Sequence, residues 1–66
     1  MLLKNIKRLC RERQITVAQL EREIGLSNGT ISKWALSSPT VNNLKAVADY
    51  LGVSMDNLFA EDAEDV

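Results

Sequence analysis

TVAQLEREIGLSNGTISKW, residues 16–34, is the stretch from which the fold is read. Thr16 is suited to cap a helix, and Gln19 stands three positions on, so Thr-x-x-Gln forms a capping box. Ile15 and Leu20 flank that cap with the spacing of a hydrophobic staple. Val17, Leu20 and Ile24 then recur at i, i+3 and i+7, the stripe of a helix over about residues 17–24. Gly25 follows, where a chain leaving a helix turns through positive φ without steric cost. Ser27 repeats the cap, and Leu26 with Ile31 repeats the staple, for a second helix over about residues 28–36. Two start signals eleven residues apart, separated by a glycine, predict a helix, a tight turn and a second helix.

The flanks extend the pattern. Residues 2–13 read as a helix with Leu2, Leu3, Ile6, Leu9 and Cys10 on its apolar stripe. Thr40 caps a helix over about residues 41–51, whose inner stripe is expected to hold Val41, Leu44, Val47, Ala48 and Leu51. Gly52 closes it. Val53, Ser54 and Leu58 give the staple and cap once more, for a last helix over about residues 55–59, with Tyr50 and Phe59 expected to be partly exposed. Five helices and no strand predict a compact all-α domain over residues 1–60, followed by an acidic tail, residues 61–66, that is expected to fray.

Sixty-six residues make one domain, and a chain this short has a small core that caps and short loops must support. One cysteine excludes an internal disulfide; the absence of histidine leaves no zinc constellation, and no metal or cofactor is expected. Cys10 reads as a small buried thiol. A single Trp, Tyr and Phe are too few for a stacking platform on single strands. No run approaches the roughly 20 apolar residues of a membrane span, and MLLK is too short for a signal peptide, so a cytoplasmic protein is expected. The net charge of −1 is unevenly spread. Residues 1–60 carry all eight Lys and Arg against five acids, a balance of +3, while the last six residues hold the other four acids. Charges beyond a Debye length of about 8–10 Å are largely screened, so the local excess governs contact with an anionic partner.

A helix, turn and helix of this kind places its second helix in the major groove of DNA. The residues also resemble the Cro/C1-type, or xenobiotic response element type, of helix-turn-helix regulators. Thr16, Leu20, Ile24, Gly25, Leu26, Ser27, Ile31 and Trp34 match that pattern, as do Pro39, Leu44, Ala48, Leu51, Gly52, Val53, Ser54 and Leu58. The likeness covers about residues 3–59 and implies a five-helix, lambda-repressor-like DNA-binding domain of a transcriptional regulator, with repression the expected role. Two positions depart from it. Val17 stands where the family usually has a phosphate-contacting Gln, and Glu21 where it usually has Ala at the closest approach of the two helices. Glu21 is expected to swing out to solvent, opening the crossing slightly and adding negative charge near a DNA-facing edge.

With Ile31 taken as the core direction, about 100° per residue puts Trp34 and Ala35 inward and Gly29, Ser32, Lys33 and Leu36 outward, with Asn28 at the N-terminal end. Asn28, Gly29, Ser32 and Lys33 are the candidate base readers: Asn suits adenine, Lys suits guanine, Ser takes either role, and Gly permits close backbone approach. Gly29 inside a helix would cost up to about 1 kcal/mol. Lys7, Arg8, Arg11, Ser27, Thr30, Ser37, Thr40, Asn42 and Asn43 are the candidate phosphate contacts, with Lys45 a further donor; Arg22 reads most simply as solvent-facing, with a phosphate ligand the alternative. The plain alternative for each polar residue is cap, loop or solvated-face chemistry. The expected partner is double-stranded DNA, bound by a homodimer on two half-sites. A rival reading keeps the fold as a protein-interaction module of antitoxin or antirepressor kind; Val17, Glu21, Gly29 and the acidic tail favour it. An enzyme is the weakest reading, since histidine, paired carboxylates and a Gly-rich phosphate cradle are all missing.

Overall fold

A computed structural model describes residues 2–59, so the acidic tail 61–66 and the end of the domain at residue 60 lie outside the described residues. Four α-helices, α1 (Leu2–Glu12), α2 (Val17–Glu23), α3 (Val41–Leu51) and α4 (Met55–Phe59), are joined by a short 3-10 helix at Ile31–Ala35, between α2 and α3. The all-α architecture agrees with the sequence reading, with one of the five helices in 3-10 form. α1 packs against α2, the 3-10 helix and α4, and α4 also against α3. Ile6, Leu9, Cys10, Leu20, Ile31, Leu44, Val47, Ala48, Leu51 and Leu58 form one buried core that draws on every element.

Three of the predicted caps form. Thr16 Oγ1 accepts from Gln19 N at 3.0 Å, Thr40 Oγ1 from Asn43 N at 3.2 Å, and Ser54 Oγ from Asn57 N at 3.2 Å. Val41, expected on the inner stripe, is instead 68% exposed, because it opens α3 before that helix reaches the core. Asn5 is buried on α1 and its Nδ2 donates to the Leu58 carbonyl at 2.9 Å, fastening α1 to α4. Burial also pushes the Cys10 thiol pKa up, against the opposing pull of Arg13. A raised pKa and a closed site make this a packing residue.

α1, α2 and α3 end in the same way. One amide donates to the carbonyl three residues back and the next amide to the carbonyl five back: Gln14 to Arg11 and Ile15 to Cys10, Gly25 to Arg22 and Leu26 to Glu21, Gly52 to Asp49 and Val53 to Ala48. This is the Schellman arrangement, and it requires a left-handed residue at the first of each pair. Gly25 and Gly52 supply it at φ 83° and 73°; Gln14 does so at φ 59°. A side chain in that region is penalised by its Cβ, by about 1–2 kcal/mol. We therefore expect Gln14→Gly to raise stability to denaturant by about 0.5–1 kcal/mol, after the larger unfolded-state entropy of glycine is set against that strain. A loss of stability would show that Gln14 makes a contact worth more than the strain.

Candidate nucleic-acid interface

The segment between α2 and α3 presents the candidate readers, and one side chain fixes its shape. Glu21, in the last turn of α2, is 2% exposed. Its Oε1 accepts from Gly29 N at 3.0 Å and its Oε2 from Ile31 N at 2.8 Å. Its own backbone carbonyl accepts from Leu26 N at 2.8 Å. A single residue thus holds the exit of α2, the turn and the first amide of the 3-10 helix. The expectation that Glu21 points to solvent, opening the crossing and placing negative charge at the DNA-facing edge, is corrected. The turn amide of Gly29 and the first 3-10 amide, that of Ile31, offer a carboxylate better-aligned partners than water does, and both oxygens are taken.

The predicted second helix over residues 28–36 is also corrected. Asn28, Gly29 and Thr30 form a turn, with Gly29 at φ 88°, and regular structure begins only at Ile31. A residue at that φ cannot lie inside a right-handed helix, so Gly29 is needed for the turn and carries no helix-interior cost. No neighbour lies within 4 Å of where its Cβ would be, which leaves backbone conformation as the reason for glycine. Thr30 makes no side-chain cap bond, and Ser27 contributes its carbonyl, which accepts from Thr30 N at 3.1 Å. The side-chain cap comes from Glu21, on the neighbouring helix.

Three residues per turn change which side chains share a row. Lys33 N donates to Thr30 O at 3.2 Å and Leu36 N to Lys33 O at 3.0 Å, the i to i+3 bonds of a 3-10 helix. Ile31 and Trp34 form the inner row, the first fully buried and the second half-buried against the core. Ser32 and Ala35 form a second, exposed row, and Lys33 with Leu36 a third. Ala35, expected inward at 100° per residue, is exposed because about 120° sets it over Ser32. Leu36 is 96% exposed, the least covered large apolar side chain among the described residues.

The other candidates fall into groups. Asn28 and Ser27 are exposed, and Asn28 shares a shallow depression with Arg22, Ala18, Leu26 and Glu21. Arg22 is exposed, as expected, and its place beside Asn28 is visible only once the turn is folded. Lys7 and Arg11 are exposed and Arg8 is half-buried, its guanidinium 3.8 Å from Glu12. These three cations line a groove together with Trp34 and Ala35 of the 3-10 helix. Beyond that helix, Ser37 Oγ donates to Lys33 O at 3.3 Å, and the Thr40 hydroxyl is engaged in its cap. Asn42 and Lys45 are exposed on α3, and Asn43 is half-buried. Among the described residues no group of three or more His, Cys, Asp or Glu could hold a metal ion, and no helix is long and apolar enough to cross a membrane.

A supporting helix, a clamped turn and a short helix that exposes Ser32 and Lys33, all set on one core, define a helix-turn-helix domain. A family model described as helix-turn-helix matches residues 6–58, most of the chain, and the protein belongs to that family, in its Cro/C1-type form. No curated protein and no solved structure matches it. The family is one of DNA-binding transcriptional regulators that act on double-stranded DNA and are generally not enzymes.

Removing the Glu21 side chain strips two amides of a charged acceptor, one of them fully buried. Glu21→Ala is expected to cost about 1.5–3 kcal/mol in denaturant unfolding, and Glu21→Gln, which keeps one acceptor oxygen, less. A loss below about 0.5 kcal/mol for Glu21→Ala would mean that water replaces the carboxylate without penalty.

Proposed function

We propose that this domain represses transcription by occupying a specific operator, with the segment Asn28–Leu36 in the major groove. Asn28, Ser32 and Lys33 read base edges, Gly29 allows close backbone approach, and the phosphates are held by Lys7, Arg8, Arg11, Ser27, Thr30, Ser37, Thr40, Asn42 and Asn43. The observation that supports this reading is a set of polar side chains on a clamped segment: Asn28, Ser32 and Lys33 stand exposed where Glu21 fixes the backbone. A reader must be presented rigidly, because each base contact is lost if its carrier shifts by about an ångström. Phosphate contacts set register, while base contacts discriminate. One copy of a domain this small covers too little DNA for tight specific binding, so two copies act on half-sites about one helical turn apart. Tyr50 and Phe59, 41% and 50% exposed, are apolar surface available to a second copy.

The rival reading, a protein-interaction module, is favoured by one observation. Leu36 is 96% exposed at the end of the reading segment, where a polar phosphate donor would serve DNA better. The two readings part in a single experiment, selection of bound fragments from random duplex DNA. DNA reading requires an enriched sequence with two related halves. Against that sequence, Lys33→Ala is expected to lose about 1–3 kcal/mol of binding and to relax one position. Arg11→Ala should weaken all sequences alike and reduce the salt slope by about one. No enriched sequence at low salt would overturn the proposal in favour of the protein partner.

A further inference from the structure

The groove between α1 and the 3-10 helix encloses about 620 Å³, within the range of about 300–1,000 Å³ usual for small-molecule sites. One wall is apolar, from Leu2 and Leu3 at the start of α1 and from Trp34 and Ala35 opposite. The other is basic: Lys4, Lys7, Arg8 and Arg11 recur at i, i+3, i+4 and i+7 and so share one face of α1. Among the described residues no acid lines the groove, and Glu12, 3.8 Å from Arg8, is not part of its wall. A duplex backbone has use for the cations but offers nothing to cover Leu2, Leu3 and Trp34, which are only half-buried. α1 rises about 14 Å from Leu2 to Arg11, so the apolar end and the farthest cation stand apart by the length of a short alkyl chain.

We propose that this groove binds a small amphiphilic carboxylate of the medium-chain fatty acid type. Its head pairs with Lys7, Arg8 and Arg11, where an arginine can take both oxygens at once. Its chain covers Leu2, Leu3, Trp34 and Ala35, and the apolar surface hidden from water supplies the rest of the affinity. One consequence rests on the DNA reading given above. Lys7, Arg8 and Arg11 cannot hold a carboxylate and duplex phosphates together, so the bound acid releases DNA and acts as an inducer.

Trp34 is the single tryptophan and lines the groove, so it reports on the occupant directly. The full chain, without DNA, is titrated with decanoate below its micellar concentration; acetate supplies the head alone and decyltrimethylammonium the chain with the opposite charge. Decanoate should shift the Trp34 emission and indole N–H resonance saturably, with amide shifts centred on α1, and the other two probes should not. Lys7→Gln combined with Arg11→Gln should weaken decanoate binding roughly fivefold. Ala35→Glu, at an exposed position, should weaken it through repulsion of the head. A shift that never saturates, an equal response to decyltrimethylammonium, or amide shifts centred on Leu36 and Phe59 would overturn the proposal. Decanoate affinity unchanged in both variants, each folded by circular dichroism, would overturn it too. Decanoate should then displace random duplex DNA at low salt over the concentrations that saturate Trp34. Saturation with the DNA retained would support the site and overturn the inducer role. Saturation in a protein that binds no DNA would support the site and overturn the DNA reading, so the claims fail separately.

Discussion

The buried carboxylate of Glu21 is the contact on which the proposed DNA-reading segment, residues 28–36, depends. A short helix that begins after a glycine turn has several amides with no partner of its own, and only five residues in which to recover the cost. Intrinsic propensity cannot hold such a piece. Two charge-assisted hydrogen bonds from α2, at 3.0 and 2.8 Å, and the burial of Ile31 beneath it do so together. The same residue accepts from Leu26 through its backbone, so α2, the turn and the 3-10 helix behave as one unit rather than as two helices on a flexible joint.

The rest of the chain serves to place that unit. The Schellman endings of α1, α2 and α3 each reverse the chain within two residues, which keeps connections short in a domain with little core to spare. Asn5 binds α1 to the Leu58 carbonyl of α4, so α1 is tied to α4 by a hydrogen bond as well as by packing. α1 meets α2, the 3-10 helix and α4, and its cations are thereby carried to the edge of the reading segment.

Much of this was legible in the sequence because caps and glycines are local signals. Thr16, Thr40 and Ser54 act on amides three residues away, and Gly25 and Gly52 answer to their own backbone angles, so neither needs knowledge of the fold. The errors share a cause. Glu21 caps amides eight and ten residues further on, across a turn, and a carboxylate in an exposed-looking helix position gives no local sign of that. Gly29 reads as helical because its neighbours carry helical spacing; its positive φ puts it in a turn, and the regular segment, in 3-10 form, begins only at Ile31. The change from 100° to about 120° per residue moved Ala35 outward, though Ile31 and Trp34, three apart, stay on the inner row under either period. Gln14 shows the reverse case, a side chain at positive φ where only its neighbours' hydrogen bonds reveal the need.

Amide hydrogen exchange on the uniformly labelled native protein tests the role of Glu21 most directly. With the carboxylate in place, the Ile31 and Gly29 amides should exchange as slowly as those of the core helices α1 and α3, opening only with the whole domain. Exchange at both sites at the rate of an open surface turn, while the core helices stay protected, would show that the carboxylate does not hold the segment and that the reading surface is mobile in the free protein.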